Sequence, residues 1–99
     1  MPALRAEEAH VADLCLLLTR YPHLRHLRVR RRADVLTLES GPKDDPIDHV
    51  RFRRVTIHLW NAEVASHTGR WQPSGLRGRL DILLQSFVND FSWTLMPIV

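Results

Sequence analysis

The segment LRHLRVRRRADVLTLE, residues 24–39, contains two runs in which apolar and polar residues alternate. Alternation with a period of two is typical of a β-strand, because successive side chains of a strand point to opposite faces of the sheet. In the second run Leu36 and Leu38 lie on the apolar side, which should face the core. Ala33 and Asp34 separate the two runs, so the sequence predicts a β-hairpin that reverses at these residues.

The residues before the hairpin follow a helical pattern. Glu7 and Glu8 lie near the start of this pattern and Arg20 near its end, which is the charge order that the helix dipole favours. Pro22 should end the helix, because proline cannot continue the backbone hydrogen-bond ladder. The apolar residues that recur at three- and four-residue steps are Leu4, Val11, Leu14, Leu18 and Tyr21.

The region after the hairpin predicts a loop and then further strands. Residues 40–48 collect Gly41, two prolines and four charged residues, so they predict an exposed loop. Val50 and Phe52 begin another alternating run, but the apolar parity then changes without an intervening glycine or proline. Such a change predicts a bulge or tight reversal within residues 53–56, which gives four or five strands in all.

The second half of the chain predicts one more turn and a final helix. Strand-like sequence continues to His67, a turn follows at residues 68–69, and residues 70–72 should return as a short edge strand ended by Pro73. The helical period then resumes and predicts a helix over residues 79–90. Its apolar stripe consists of Leu80, Leu83, Leu84, Phe87, Val88 and Phe91, and the mostly apolar residues 93–99 should add a strand or cover an edge of the core.

This element order predicts one α+β domain spanning residues 1–99, an antiparallel meander of four or five strands with an N-terminal and a C-terminal helix packed on one face. An alternative is a small bent barrel preceded by a helix, of the kind found in Sm-like RNA-binding proteins; no motif of that family is matched here. The longest apolar run, residues 14–18, is too short to cross a membrane, so we expect a cytoplasmic protein. Cys15, the single cysteine, excludes an internal disulfide and should pack as a small apolar group.

Basic residues dominate two segments. Thirteen arginines accompany one lysine, the net charge is +3, and six arginines fall within residues 20–32. On alternate residues of a strand, three arginines would lie about 6.6 to 6.8 Å apart on one face, and a neighbouring strand could add two more. The sequence therefore predicts a polyanion-binding surface for nucleic-acid backbone or an acidic protein, formed by Arg28, Arg30, Arg32, Arg51 and Arg53.

The same arginines have a second interpretation as an ordinary solvated sheet face. Asp34, Glu39 and Asp48 are close enough in sequence to neutralise them locally. Arg25 and Arg31 also fall on the opposite parity, where the core should be. Either the basic strand lies at a sheet edge, where both faces reach water, or its phase is shifted.

Other residue clusters give weaker predictions. His23 and His26 could form half of a metal site, but no second ligand pair accompanies them, so neither a metal nor another cofactor is expected. The turn that contains His67 and Arg70 could carry catalysis only above a cleft, and an enzyme is the least favoured class. The competing non-enzymatic function is a protein-interaction or structural subunit, of which a homo-oligomer is one form. Its contact would consist of a sheet edge and the apolar C-terminal segment, with Trp93, Leu95, Met96 and Ile98 in the interface.

Overall fold

The computed structural model describes residues 4–66, 68 and 70–96. It confirms the α+β prediction, with five antiparallel strands in the sheet order β1-β2-β3-β4-β5 and one helix on either side of the meander in sequence. The described residues also form two 3-10 helices, Pro22–Leu24 and Ser92–Leu95. The other elements are α1 (Glu8–Leu18), β1 (Arg28–Arg32), β2 (Val35–Ser40), β3 (Ile47–Arg54), β4 (Trp60–Ala65), β5 (Trp71–Gly78) and α2 (Leu80–Asp90).

The hairpin predicted at residues 24–39 is present. Arg32 pairs with Val35, and the two-residue turn between them holds Ala33 at a φ of 52°. The alternation indicated a strand from Leu24, but β1 begins at Arg28. The reason is local: Pro22 starts a 3-10 turn, and the amide of Leu27 still donates to the carbonyl of Leu24 over 3.0 Å.

The core lies on one face of the sheet, where both helices pack. Leu36, Phe52 and Ala62 face it from adjacent strands, in register with one another. Phe52 is fully buried and meets Phe87 of α2 edge to face, with the ring centroids 6.3 Å apart. The two helices contribute to the same core Leu14, Leu18, Leu80, Leu83, Leu84 and Phe87.

The connections between strands differ in length from the predicted ones. The loop predicted over residues 40–48 is shorter, because β2 continues to Ser40 and β3 starts at Ile47. The parity change after Phe52 is a tight reversal, one of the two predicted alternatives, but it occupies residues 55–59 rather than 53–56, and the Val55 amide donates to the Leu59 carbonyl over 2.8 Å to close it. The described residues therefore form five strands.

The last strand is longer than the sequence indicated. Pro73 lies inside β5 rather than at its end, and β5 occupies an edge of the sheet as expected. An edge strand tolerates proline because one side of its backbone needs no ladder partner. Gly75 has a φ of 81°, and the register shift between Asn61 and Glu63 accommodates the extra residues of β5.

Two further expectations are wrong. Cys15 is exposed, because Leu14 and Leu18 carry the buried side of α1 and Cys15 lies on the other side. The barrel alternative fails because, in the described part of the chain, β1 and β5 stand at opposite ends of the strand order and the sheet is open. His67 and Gly69 of the predicted turn and Ile98 of the predicted interface lie outside the described residues.

Candidate functional site on the open face of the sheet

All five arginines proposed as a polyanion site lie on the face of the sheet opposite the core. Arg30 of β1 and Arg51 of β3 are both register partners of Thr37 in β2, and Arg53 is opposite Val35. The two arginine runs therefore share one face, which we call the arginine face: it carries Arg28, Arg30, Arg32, Arg51, Arg53 and, from β5, Arg77.

On the β1 side of the arginine face, two guanidinium groups share one carboxylate. Glu39 is only 4% exposed and accepts a hydrogen bond from Arg28 over 2.9 Å. Arg30 lies 3.3 Å from the other oxygen of Glu39 and 3.5 Å from Asp48. Arg28 also donates to the carbonyl of Gly41 over 2.6 Å, which fixes its side chain against the β2–β3 turn.

The β3 side repeats this arrangement around Glu63. Arg51 and Arg53 donate to different oxygens of Glu63 over 3.0 and 3.3 Å, and Arg53 also pairs with Asp34 over 3.2 Å. Burial by itself raises the pKa of the Glu63 carboxyl, but the hydrogen bonds and charges of the two arginines outweigh it and lower the pKa from its ordinary value. Glu63 is therefore an ionised partner for both arginines at neutral pH.

An aromatic ring extends the β3 cluster toward β5. The guanidinium carbon of Arg51 lies 4.4 Å from the ring centroid of Trp71, within cation–π distance. The arginine thus covers one face of the indole, and Trp71 is half-buried rather than freely exposed. A nucleic-acid base could stack on an exposed indole, but on Trp71 the guanidinium group of Arg51 already occupies one face of the ring.

Two arginines of the face have no carboxylate partner within the described part of the chain. Arg32, at the end of β1, is exposed and forms no ion pair there. Arg77 donates to the side-chain oxygen of Asn61 over 2.8 Å, and that partner is neutral. The clusters around Glu39 and Glu63 each combine two arginines with two carboxylates, so the excess positive charge of the face comes from Arg32 and Arg77.

A polar residue is buried between the two clusters. Thr37 is 5% exposed although it lies on the arginine face, between Arg30 and Arg51 in the register. Long arginine stems can cover neighbouring surface while their charged ends stay hydrated. The arginine side chains therefore shield part of this face from water, as the two helices shield the opposite face.

Arg25 and Arg31, which the sequence placed on the core-facing parity of β1, show whether the predicted phase of that strand is correct. Arg31 points to the opposite face, where it pairs with Glu8 of α1 over 2.8 Å and donates to the carbonyl of Ala6. Arg25 follows the first 3-10 helix and is not part of a strand. Because β1 is an edge strand, both of its faces reach water, and the predicted phase is compatible with an arginine on either side.

A histidine network, which the sequence did not reveal, attaches the C-terminal 3-10 helix to the sheet. The Nδ1 atom of His49 lies 3.0 Å from the carbonyl oxygen of Thr94, so it must donate, and Nε2 then accepts from the Ser40 hydroxyl over 2.7 Å. His26 binds the carbonyl of Leu95 over 2.7 Å. Burial lowers the pKa of His49 most, and the nearby His26 contributes in the same direction.

Comparison of the chain with protein-family models, curated proteins and solved structures finds no match. Within the described ranges, no three histidine, cysteine or acidic side chains come together as a set of metal ligands, and His23 and His26 do not acquire further ligands. In the same residues, no helix is long and apolar enough to span a membrane.

The C-terminal segment divides into buried and exposed residues. Leu95 is fully buried and belongs to the core cluster, so residues 92–95 cover an edge of the core. This was one of the two expectations for the C-terminal segment; the other was an additional strand. Trp93 is 71% exposed and Met96 is 52% exposed. An interface through this segment would therefore use Trp93 and Met96 among the described residues.

Proposed function

We propose that this chain is a small binding module whose arginine face, centred on β1, contacts an anionic partner, and that this partner is an acidic protein. The observation that carries the proposal is the concentration of exposed guanidinium groups on β1. Arg30 and Arg32 are exposed on the open face, and Arg31 is exposed on the other side of the same edge strand. Guanidinium groups bind carboxylates with paired hydrogen bonds and lose less hydration energy than ammonium groups.

The arginines of β3 have a different role in this proposal. Arg51 and Arg53 are half-buried in the middle of the sheet and are held by Glu63, Asp34 and Trp71. They support the face and set its charge pattern, while β1 supplies the contacts. Of the five arginines predicted from the sequence, the proposed contact residues are therefore Arg28, Arg30 and Arg32.

Two features favour an acidic protein over nucleic acid. Glu39 and Glu63 each lie between two arginines, so a continuous row of phosphates laid across the face would meet them. Proteins that bind single strands combine basic grooves with rings available for base stacking, and Trp71 is already covered on one side by Arg51. A protein can place its carboxylates where the arginines are and avoid the two glutamates.

Binding of a fluorescent poly-glutamate peptide tests this proposal. In the full chain, changing Arg28, Arg30 and Arg32 together to alanine should weaken binding about tenfold or more, equivalent to about 1.4 kcal/mol. Glu39→Gln should strengthen it several-fold, because it removes a buried negative charge between two of the arginines.

A matched control removes three exposed arginines elsewhere, Arg20, Arg25 and Arg70, and so changes the net charge equally. This control should weaken binding much less than the β1 variant. Equal losses in the two triple variants would mean that only the overall charge attracts the peptide, and the proposal would fail. Tighter binding of a duplex DNA probe, with a log–log salt slope of about −4 to −5 for five phosphate contacts, would instead favour the nucleic-acid interpretation.

Self-association is a second candidate, which the exposure of Trp93 favours. An indole that is 71% exposed beside a half-exposed methionine is a suitable contact for a second copy of the chain. We expect the wild-type chain to sediment as a dimer at high concentration and the Trp93→Ser, Met96→Ser double variant as a monomer. A wild-type chain that stays monomeric at every concentration tested would rule out this candidate.

A further inference from the structure

A groove runs along the outer edge of β1, between that strand and α1. It has a volume of about 530 Å³ and is bordered by Val11 of α1, by residues 28–31 of β1 and by Lys43 of the β2–β3 turn. The two walls are thus a helix and an edge strand, the geometry in which an extended peptide can lie parallel to both.

The side chains of β1 show that the groove opens directly onto the strand backbone. Arg28 and Arg30 belong to the arginine face, whereas Val29 and Arg31 belong to the face that carries the helices. Side chains that point to opposite faces of a sheet can border one cavity only when that cavity lies against the edge between them. All four of these residues line the groove.

The edge of β1 has free capacity for backbone hydrogen bonds. Among the described residues, β1 pairs only with β2, so its other side has no strand partner. The five residues of β1 provide an edge of about 17 Å. The edge ends at the hairpin, where the Ala6 amide donates to the Ala33 carbonyl over 2.9 Å, so the segment before α1 lies against the turn that ends β1.

The charge and polarity of the groove define what could occupy it. Arg28, Arg30, Arg31 and Lys43 line it, against the two acids Glu8 and Glu39. Glu8 already pairs with Arg31, and Glu39 is buried beneath Arg28 and Arg30. On the helix side, Val11 and Val29 provide an apolar contact.

From this arrangement we propose that an extended acidic segment of a partner protein adds to β1 as a sixth strand. The segment alternates acidic and apolar residues: its acidic side chains meet Arg28 and Arg30 on the arginine face, and its apolar side chains meet Val11 and Val29. This inference rests on the proposed function and names the form of the partner. A peptide satisfies the free backbone groups of β1, which a nucleic acid cannot do in a ladder.

Synthetic peptides of about ten residues, the upper length of an ordinary strand, provide the test with the full-length chain. The first peptide alternates glutamate and valine, and the second has the same composition with all its glutamates grouped at one end. We expect the alternating peptide to bind at least tenfold more tightly. Equal affinity would overturn strand addition, because charge alone would then explain the binding.

Backbone methylation separates strand addition from side-chain attraction more sharply. In a strand, alternate amides point to opposite neighbours, so two versions of the alternating peptide are made, each N-methylated at one of the two alternate sets. One version should lose binding at least tenfold and the other should keep most of it. Similar affinities for both versions would show that no ladder forms with β1.

Hydrogen exchange in the full chain gives an independent measurement. Amides of β1 that exchange rapidly in the free chain should become protected when the alternating peptide is bound, and those of α2 should not change. If the peptides bind with the predicted loss in the β1 arginine variant but without protection of β1, strand addition fails and the proposed function survives. If neither peptide binds, both proposals fail, and the arginines of β1 serve to keep this edge from pairing with other chains.

Discussion

The two faces of the sheet are covered in different ways. One face carries Phe52 and its apolar neighbours under two helices, and the other carries the arginine face, with Glu39 and Thr37 buried beneath guanidinium groups. The two kinds of cover use adjacent residues of the same strands, for example Arg51 and Phe52 of β3.

The comparison shows that burial on the arginine face has a different energetic basis. The apolar face gains free energy from removing hydrocarbon from water, roughly 25 cal/mol per Å² of surface. The arginine face buries carboxylates, whose desolvation offsets much of the attraction of their partners. It should therefore contribute less to stability than the apolar face.

The largest expected effect is on the apolar face. Phe52→Ala removes a fully buried ring that packs against Phe87, so it should lower the free energy of unfolding by about 3 to 5 kcal/mol. Urea unfolding of the variant and the wild type measures this difference directly.

The matched change on the arginine face is Arg51→Ala, one position earlier in β3. It removes one of the two partners of Glu63 and the contact with Trp71, but Arg53 still pairs with Glu63. We expect a loss of about 1 to 2 kcal/mol. If Arg51→Ala costs as much as Phe52→Ala, the proposed difference between the two faces is wrong.

The smallest expected effect depends on pH and concerns the attachment of the C-terminal 3-10 helix. Burial lowers the pKa of His49 in the folded chain; its titratable neighbours are His26, which acts in the same direction, and Asp48, which opposes it. Folding thus favours the neutral ring of His49. The stability that this gives is fully present above the unfolded-state pKa of about 6.5, and it is lost as the pH falls below that value.

Thermal unfolding at a series of pH values measures this contribution. The midpoint of the wild-type chain should fall more between pH 7.5 and 5.5, two values that lie about one unit on either side of an ordinary histidine pKa, than that of His49→Gln. His10, whose pKa is lowered chiefly by burial, is present in both chains and cancels in the difference. Parallel pH profiles for the two proteins would contradict the role given to His49.

Much of the fold followed from periodicity, because local alternation decides which side of a strand is apolar. The hairpin at residues 33–34, the arginine parity of β1 and the final helix were predicted in this way. The length of β5 was not, because Pro73 within a strand is acceptable only once the strand is known to be an edge.

The partners of the arginines depended on tertiary information that no local pattern contains. Glu63 is twelve residues from Arg51 and was an isolated acid in the sequence, yet the β3–β4 register places the two opposite each other. Arg77 joins the face only through the pairing of β5 with β4. The bond between His49 and Thr94 spans 45 residues and likewise depends on the final packing.

The sharing of Glu39 by two guanidinium groups has a consequence for how the face could change partners. Arg28 and Arg30 contact different oxygens of that carboxylate, and Arg28 is also fixed by the carbonyl of Gly41. If Arg30 turned toward an incoming acid, as the proposed function requires, the hydrogen bond of Arg28 to Gly41 would hold Arg28 beside Glu39 and keep that carboxylate neutralised. Arg28 would then remain as the counter-charge of Glu39, so release of Arg30 to a partner would not leave the buried carboxylate unpaired.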